Sequence, residues 1–204
     1  MKILFISIIL FALSCVDPWP FDFSHKGEMV PYIIEAGEHR SKNENKFLLK
    51  GVKLSPLGSR TLLWAGRFGA GTRYDLKNKD QADWNKMYGM MCGMKVHKHS
   101  VRIGWRWDTT EKKIEICIYY YNEDSDRFQT IKVGYVDQFK SIEYAIHSSK
   151  NKYWRVEIEG FTHYIIPSHT KCKWINGRFR LFPYFGGNQR APHDMIVWIR
   201  EHRR

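Results

Sequence analysis

Arg102, Arg106, Tyr119 and Tyr121 are the residues whose types and spacing point most directly to chemistry. An arginine presents a rigid fork of donors that fits a carboxylate or sulfate, and a tyrosine ring offers a flat apolar surface with a polar tip. The four come together only if two segments pair as a hairpin. In Ser100–Asp108, Val101, Ile103, Trp105 and Trp107 alternate with Ser100, Arg102, Gly104 and Arg106. In Ile114–Tyr121, Ile114, Ile116, Ile118 and Tyr120 alternate with Glu115, Cys117, Tyr119 and Tyr121. Successive side chains of a strand point to opposite faces. Facing Trp107 with Ile114 therefore sets Arg106 against Glu115, Gly104 against Cys117 and Arg102 against Tyr119. One face is then apolar, and the other gathers the arginines and tyrosines. A slip of one residue would put arginine beside isoleucine in a core, so the alternation predicts this register. The polar face reads as a ligand surface, or else as a solvated sheet face with Arg106–Glu115 a cross-strand pair contributing under ~1 kcal/mol. In either case both arginines lie outside the core, and replacing them is expected to leave the melting temperature nearly unchanged.

Other clusters are less directed. His97 and His99, in Lys95-Val96-His97-Lys98-His99-Ser100, share one side of an extended chain and could together hold a metal or accept a proton. Their parity is that of Val101 and Ile103, the core side, unless the chain turns between them, and no third ligand is evident although His193-Asp194 is available elsewhere, so a loop of surface cations is preferred and no metal is expected. The connection 182–194 crowds Asn188, Gln189, Arg190, His193 and Asp194 around Gly186-Gly187. It reads as a substrate-contacting loop or, in preference, as a turn whose polar side chains bond their own backbone. Glu157 and Glu159 look like surface acids. The chain lacks Gly-Lys-Ser/Thr, Gly-x-Ser-x-Gly, His-Glu-x-x-His and Cys-x-x-Cys patterns, and no cofactor is expected. The glycine-rich run from Trp64 to Arg73 has no helix after it to aim at a phosphate.

The elements that must position these residues are strands. Beyond the hairpin, period-two runs predict strands at Pro31–Ala36, Thr61–Arg67, Trp84–Met91, Phe128–Val136, Ser141–His147, Tyr153–Glu159, Thr162–Ile166, Arg178–Phe185 and Met195–Arg200. Helix candidates are short, at His39–Lys50 and Lys79–Lys86. So many antiparallel strands in one domain do not lie as a single flat sheet. The expected fold is an all-β, two-sheet antiparallel β-sandwich, with a closed barrel as the alternative. Its expected core includes Ile103, Trp105, Ile116, Ile118, Trp154 and Val156.

The chain has 204 residues, 43% hydrophobic and 15% aromatic, enough for one packed domain. Residues 1–14, MKILFISIILFALS, have a basic start, a short apolar run and a small residue before Cys15, the pattern of a secretory signal peptide. Ala12-Leu13-Ser14-Cys15 resembles a bacterial lipobox in the loose form ending Ser-Cys familiar from the Bacteroidetes. That resemblance implies lipidation of Cys15, a membrane anchor, a tether over 15–28, a domain over 29–204, and a place in the cell envelope, at the outer membrane or cell surface. Cys92, Cys117 and Cys172 would then remain, so at least one thiol stays free or bridges to another chain.

Tyr153-Trp-Arg-Val-Glu-Ile-Glu-Gly160 and the closing run from Phe179 to Ile199 resemble the end of a concanavalin-like jelly roll, an architecture widespread among lectins, glycoside hydrolases and polysaccharide lyases. Tyr184-Phe-Gly-Gly-Asn-Gln189 resembles a Tyr-Phe-Lys-Ala-Gly stretch of alginate-lyase-like jelly rolls. The lysine and any Gln-Ile-His motif are absent, so no catalytic residues are carried across. A net charge of +12 would suit nucleic acid, but an exported protein does not ordinarily meet it, and no nucleic acid partner is expected. The expected partner is an acidic polysaccharide on Arg102, Arg106, Tyr119 and Tyr121. The alternatives are a polysaccharide lyase, in which Arg102 or Arg106 neutralises a uronate carboxylate while Tyr119, Tyr121 or a histidine moves the proton, and a structural lipoprotein without ligand.

Overall fold

The computed structural model describes residues 28–42, 60–93, 96–121, 127–149, 153–161, 163–167 and 177–202. The expected signal peptide, Cys15, Cys172 and all of the tether but Glu28 lie outside them, as does the 43–50 half of the first helix candidate.

Strands carry the described fold: β1 (Val30–Ile34), β2 (Ser41–Lys42), β3 (Thr61–Phe68), β4 (Asn85–Cys92), β5 (Ser100–Asp108), β6 (Lys113–Tyr121), β7 (Gln129–Val136), β8 (Ser141–Ser148), β9 (Tyr153–Ile158), β10 (Tyr164–Pro167), β11 (Arg178–Leu181) and β12 (Met195–Glu201). They form a seven-stranded sheet, β10-β9-β8-β3-β12-β1-β2, and a five-stranded sheet, β11-β4-β5-β6-β7. The described residues contain no α-helix. Of the Lys79–Lys86 candidate only a 3-10 turn at Lys79–Ala82 forms, its first turn capped by the Asn78 side chain, which accepts from the Asp80 N–H at 2.9 Å. Asp83 then turns extended and leads into β4. The start of the other candidate is also extended, since β2 pairs with β1 through Ser41 and Lys42.

The sheets pack face to face through large side chains. Phe68 of β3 meets Trp105 of β5 at 5.3 Å between ring centres, and Trp64 meets Tyr88 edge-on at 5.5 Å. The expected core residues Ile103, Trp105, Ile116, Ile118, Trp154 and Val156 are all buried in one cluster. Between β5 and β6 the register is the one the alternation predicts: Trp107 faces Ile114, Arg106 faces Glu115, Gly104 faces Cys117 and Arg102 faces Tyr119. Asp108 closes the hairpin turn by accepting from the N–H groups of Thr110 (2.9 Å) and Glu111 (3.1 Å).

Candidate functional site

The outer face of the five-stranded sheet is built around Arg102. Tyr119 lies directly across on β6, and Gly89 directly across on β4. A Cβ at Gly89 would sit 2.1 Å from the Val101 carbonyl oxygen and 2.6 Å from Arg102 Cα, so only glycine lets the strands pass here. Beside them Lys86, opposite Gly104, extends its ammonium over the Tyr119 ring at 4.5 Å and toward the Tyr184 ring at 5.6 Å.

Tyr184 comes from far along the chain. Its segment continues the sheet past β11, exchanging backbone hydrogen bonds with Lys86 at 2.8 and 2.9 Å. Asn85 fixes the approach from within: its side chain donates to the Tyr74 hydroxyl at 2.7 Å and accepts from the Gly186 N–H at 2.8 Å. At Gly186 a Cβ would fall 2.0 Å from the Trp84 carbonyl oxygen and 2.8 Å from Lys86 Nζ. His39 stacks on Tyr184, with ring centres 5.4 Å apart and planes 13° from parallel.

Two cations therefore sit among aromatic rings, and among the described residues neither has an acidic side chain bonded to it. Burial brings the Arg102 guanidinium down to about 10, opposed only by the electron-rich surroundings of Tyr119, Tyr121 and Tyr184. Burial, then Arg102, brings Lys86 down to about 8, with Asp83 and Cys117 acting weakly the other way. Burial, and then the Tyr121 hydroxyl 3.4 Å away, pushes the Tyr119 phenol up. His97 is held low by burial and by the charges of Arg102 and Lys86. A group that neutralises both cations would relieve these penalties together, and a carboxylate does so with geometry that arginine can grip at two points.

Arg106 shares the face but is committed elsewhere. Its Nε donates to Glu115 Oε2 at 2.6 Å, its Nη1 donates to the Ala82 carbonyl at 2.7 Å, and its guanidinium lies 4.3 Å over the Trp84 ring. Glu115 is 1% exposed and is also paired with Lys132. The expectation that both arginines are dispensable for stability is corrected for Arg106: it neutralises a buried carboxylate and holds the turn before β4.

The two histidines do not share one side of a strand. A turn at 96–98 separates them, so His97 is exposed, with its ring edge-on to Tyr121 at 5.0 Å, while His99 is buried. Three polar groups of the 182–194 connection serve neighbouring loops. Asp194 accepts from the Ala36 N–H (2.8 Å), Arg190 donates to the Gly37 carbonyl (3.2 Å), and His193 pairs with the Gly71 carbonyl (2.9 Å). Glu157, which looked like a surface acid, is 1% exposed and paired with Arg155 at 2.7 Å.

Lys86 and Tyr184 are the site residues the sequence does not reveal. The strand alternation that flags Arg102 breaks at a bulge between Lys86 and Gly89, where Met87 and Tyr88 are both buried.

The fold defines a class, a jelly-roll β-sandwich. Among solved structures the chain is similar to an alginate lyase double mutant in complex with alginate trisaccharide, at 12% identity over 84% of this chain and 78% of that one, with a TM-score of 0.58. An alginate lyase from Pseudomonas aeruginosa aligns over 71% of this chain and 66% of its own at 10% identity and a TM-score of 0.49. A galectin from Xenopus laevis aligns over 74% and 97% at 11% identity and a TM-score of 0.39. Of these three, the first bears on the fold. No protein-family model matches the chain, and no curated protein matches its sequence.

Proposed function

We propose that the outer face of the five-stranded sheet binds an acidic polysaccharide, seating a uronate carboxylate between Arg102 and Lys86. The observation that carries this reading is the pairing of two half-buried cations, walled by Tyr119, Tyr121 and Tyr184, that have no bonded acid among the described residues. A buried charge without a partner is expensive, and a ligand carboxylate supplies the partner. The sandwich shared with an alginate lyase bound to alginate trisaccharide supports the choice of ligand class. Arg106 belongs to the wall of this site through Trp84 and Glu115 and does not grip the ligand.

Export and lipidation at Cys15 belong to the same proposal, with the domain held at the cell envelope. Cys92 is disulfide-bonded, which supports an oxidising compartment. Palmitate that enters the wild-type protein but not Cys15→Ser is the expected result; absence of label from the wild type overturns the anchor.

A second reading, β-elimination on the same uronate, is favoured by the position of Lys86, which near pH 8 is partly neutral. Lys86 would remove the proton beside the carboxylate as Arg102 spreads the developing charge. The C–O bond to the next sugar would then break, and Tyr119 would protonate the leaving oxygen.

Calorimetric titration with polymannuronate, polygalacturonate and a neutral glucan separates these readings. Binding of an acidic polymer at low salt, mostly lost in Arg102→Ala and absent with the glucan, is expected. No acidic polymer binding to the wild type overturns the site. Growth of unsaturated-uronate absorbance would establish the lyase, and a flat trace with binding intact would establish the binder.

A further inference from the structure

We infer that the face holds more than one sugar, the Phe128 ring forming a stacking subsite beside the Arg102–Lys86 carboxylate seat; this rests on the binding reading above. Phe128 immediately precedes β7 and is 49% exposed. It is nonetheless held in place. Its ring lies parallel to Tyr119 within 17°, with centres 4.7 Å apart, and meets Tyr121 edge-on at 6.4 Å and 73°. Tyr121 is itself edge-on to Tyr119 at 5.8 Å and to His97 at 5.0 Å.

Tyr119 links this platform to the cations, because the same ring carries Lys86 at 4.5 Å. Tyr184, Lys86, Tyr119 and Phe128 thus form a continuous row, charged in the middle and apolar at one end. On β6, Tyr121 lies two residues beyond Tyr119, ~7 Å at the usual strand rise, and the Phe128 ring contacts both, so the platform runs from the level of Arg102 toward that of an adjoining sugar.

The surroundings of Phe128 select the occupant. Tyr121 borders the apolar surface and carries His97 against its own ring, so whatever covers Phe128 needs an apolar face and a hydrogen-bonding rim. A pyranose has both, and an alkyl chain has only the first. The ring is already pinned by Tyr119 and Tyr121, so stacking costs little further ordering.

Mannuronate mono-, di- and trisaccharides titrated into wild type, Phe128→Ala, Phe128→Leu, Phe128→Trp and Arg102→Ala test this, with saturation-transfer NMR on the bound sugars. Expected is a gain in affinity from monosaccharide to trisaccharide in the wild type. Phe128→Ala and Phe128→Leu should lose roughly three- to tenfold of trisaccharide affinity, together with the saturation of one non-terminal ring face, and leave the monosaccharide unaffected. Phe128→Trp should retain both. Trisaccharide binding at wild-type strength in Phe128→Ala overturns the subsite while leaving the carboxylate seat standing. Full retention in Phe128→Leu also overturns it, because apolar bulk would then suffice. Failure of the wild type to bind any of the three sugars overturns the binding reading itself, and the subsite with it. Phe128 lies outside the core, so equal melting temperatures across the series are the check on folding.

Discussion

Arg102 and Arg106 stand on the same face of one strand, yet their surroundings give them opposite energetic roles. Glu115 is 1% exposed and is paired with both Arg106 and Lys132. Arg106→Ala leaves that carboxylate short of a partner and should cost on the order of 1–3 kcal/mol, read as a lower urea midpoint. Arg102→Ala removes a cation that burial already disfavours, and its midpoint should match or exceed the wild type. Equal midpoints for the two variants would contradict the role given to Glu115. Lys86 makes the site pH-dependent in a definite direction. In the free folded protein it loses its proton near 8, against 10.5 in the unfolded chain. Between these values the unfolded chain binds more protons, so the Lys86 contribution to stability rises with pH. Affinity for an anion moves the other way, strongest below 8 and falling as pH passes through it, because a carboxylate needs the ammonium. Lys86→Met should flatten that affinity profile in titrations on either side of pH 8. A profile of unchanged steepness would overturn the role given to Lys86.

At the level of elements, the β5–β6 hairpin was fully legible because both strands alternate without interruption, and a slip of one residue would bury arginine. Trp105 shows the strength of that signal: fully buried against Phe68 and Tyr74, it should cost ~3–5 kcal/mol when cut to alanine, which a shift in thermal midpoint would reveal. A near-native midpoint would mean the sheets do not meet at that residue. Arg102, Tyr119 and Tyr121 were readable as one face for the same reason. What escaped had physical causes. β2 has two residues, too few for any period to show. The polar run at 79–86 has helix-forming composition, but Asp83 takes an extended conformation and ends the turn. Lys86 is hidden by the bulge that follows it, and Tyr184 reaches the site through pairing with a strand nearly a hundred residues earlier, which no local pattern encodes.

For the whole molecule, 33 basic residues against 21 acidic ones give a net positive charge whose field extends beyond the contacts of this site. Such a field draws a polyanion in from solution and is screened over ~10 Å at 0.1 M salt. Two components should therefore separate in binding measured against ionic strength. Long acidic polymers should bind more weakly as salt rises, and Arg102→Ala should keep a shallow, wholly salt-sensitive remnant. The trisaccharide, too short to sample distant charge, should show the smaller salt slope. Equal slopes for polymer and trisaccharide would place all the attraction at the site.

Cys117 lies beneath that site as a free thiol with no exposed surface, its sulfur 2.6 Å from where a Gly104 Cβ would be. Burial holds its proton on, so it is inert until the floor parts. Cys92, locked in a disulfide, does not compete for a thiol reagent. The rate at which such a reagent labels Cys117 under native conditions is thus a timer for breathing of the β5–β6 floor. Ligand bound across Arg102 and Tyr119 should slow that timer in proportion to its occupancy, while leaving labelling of the urea-unfolded chain unchanged.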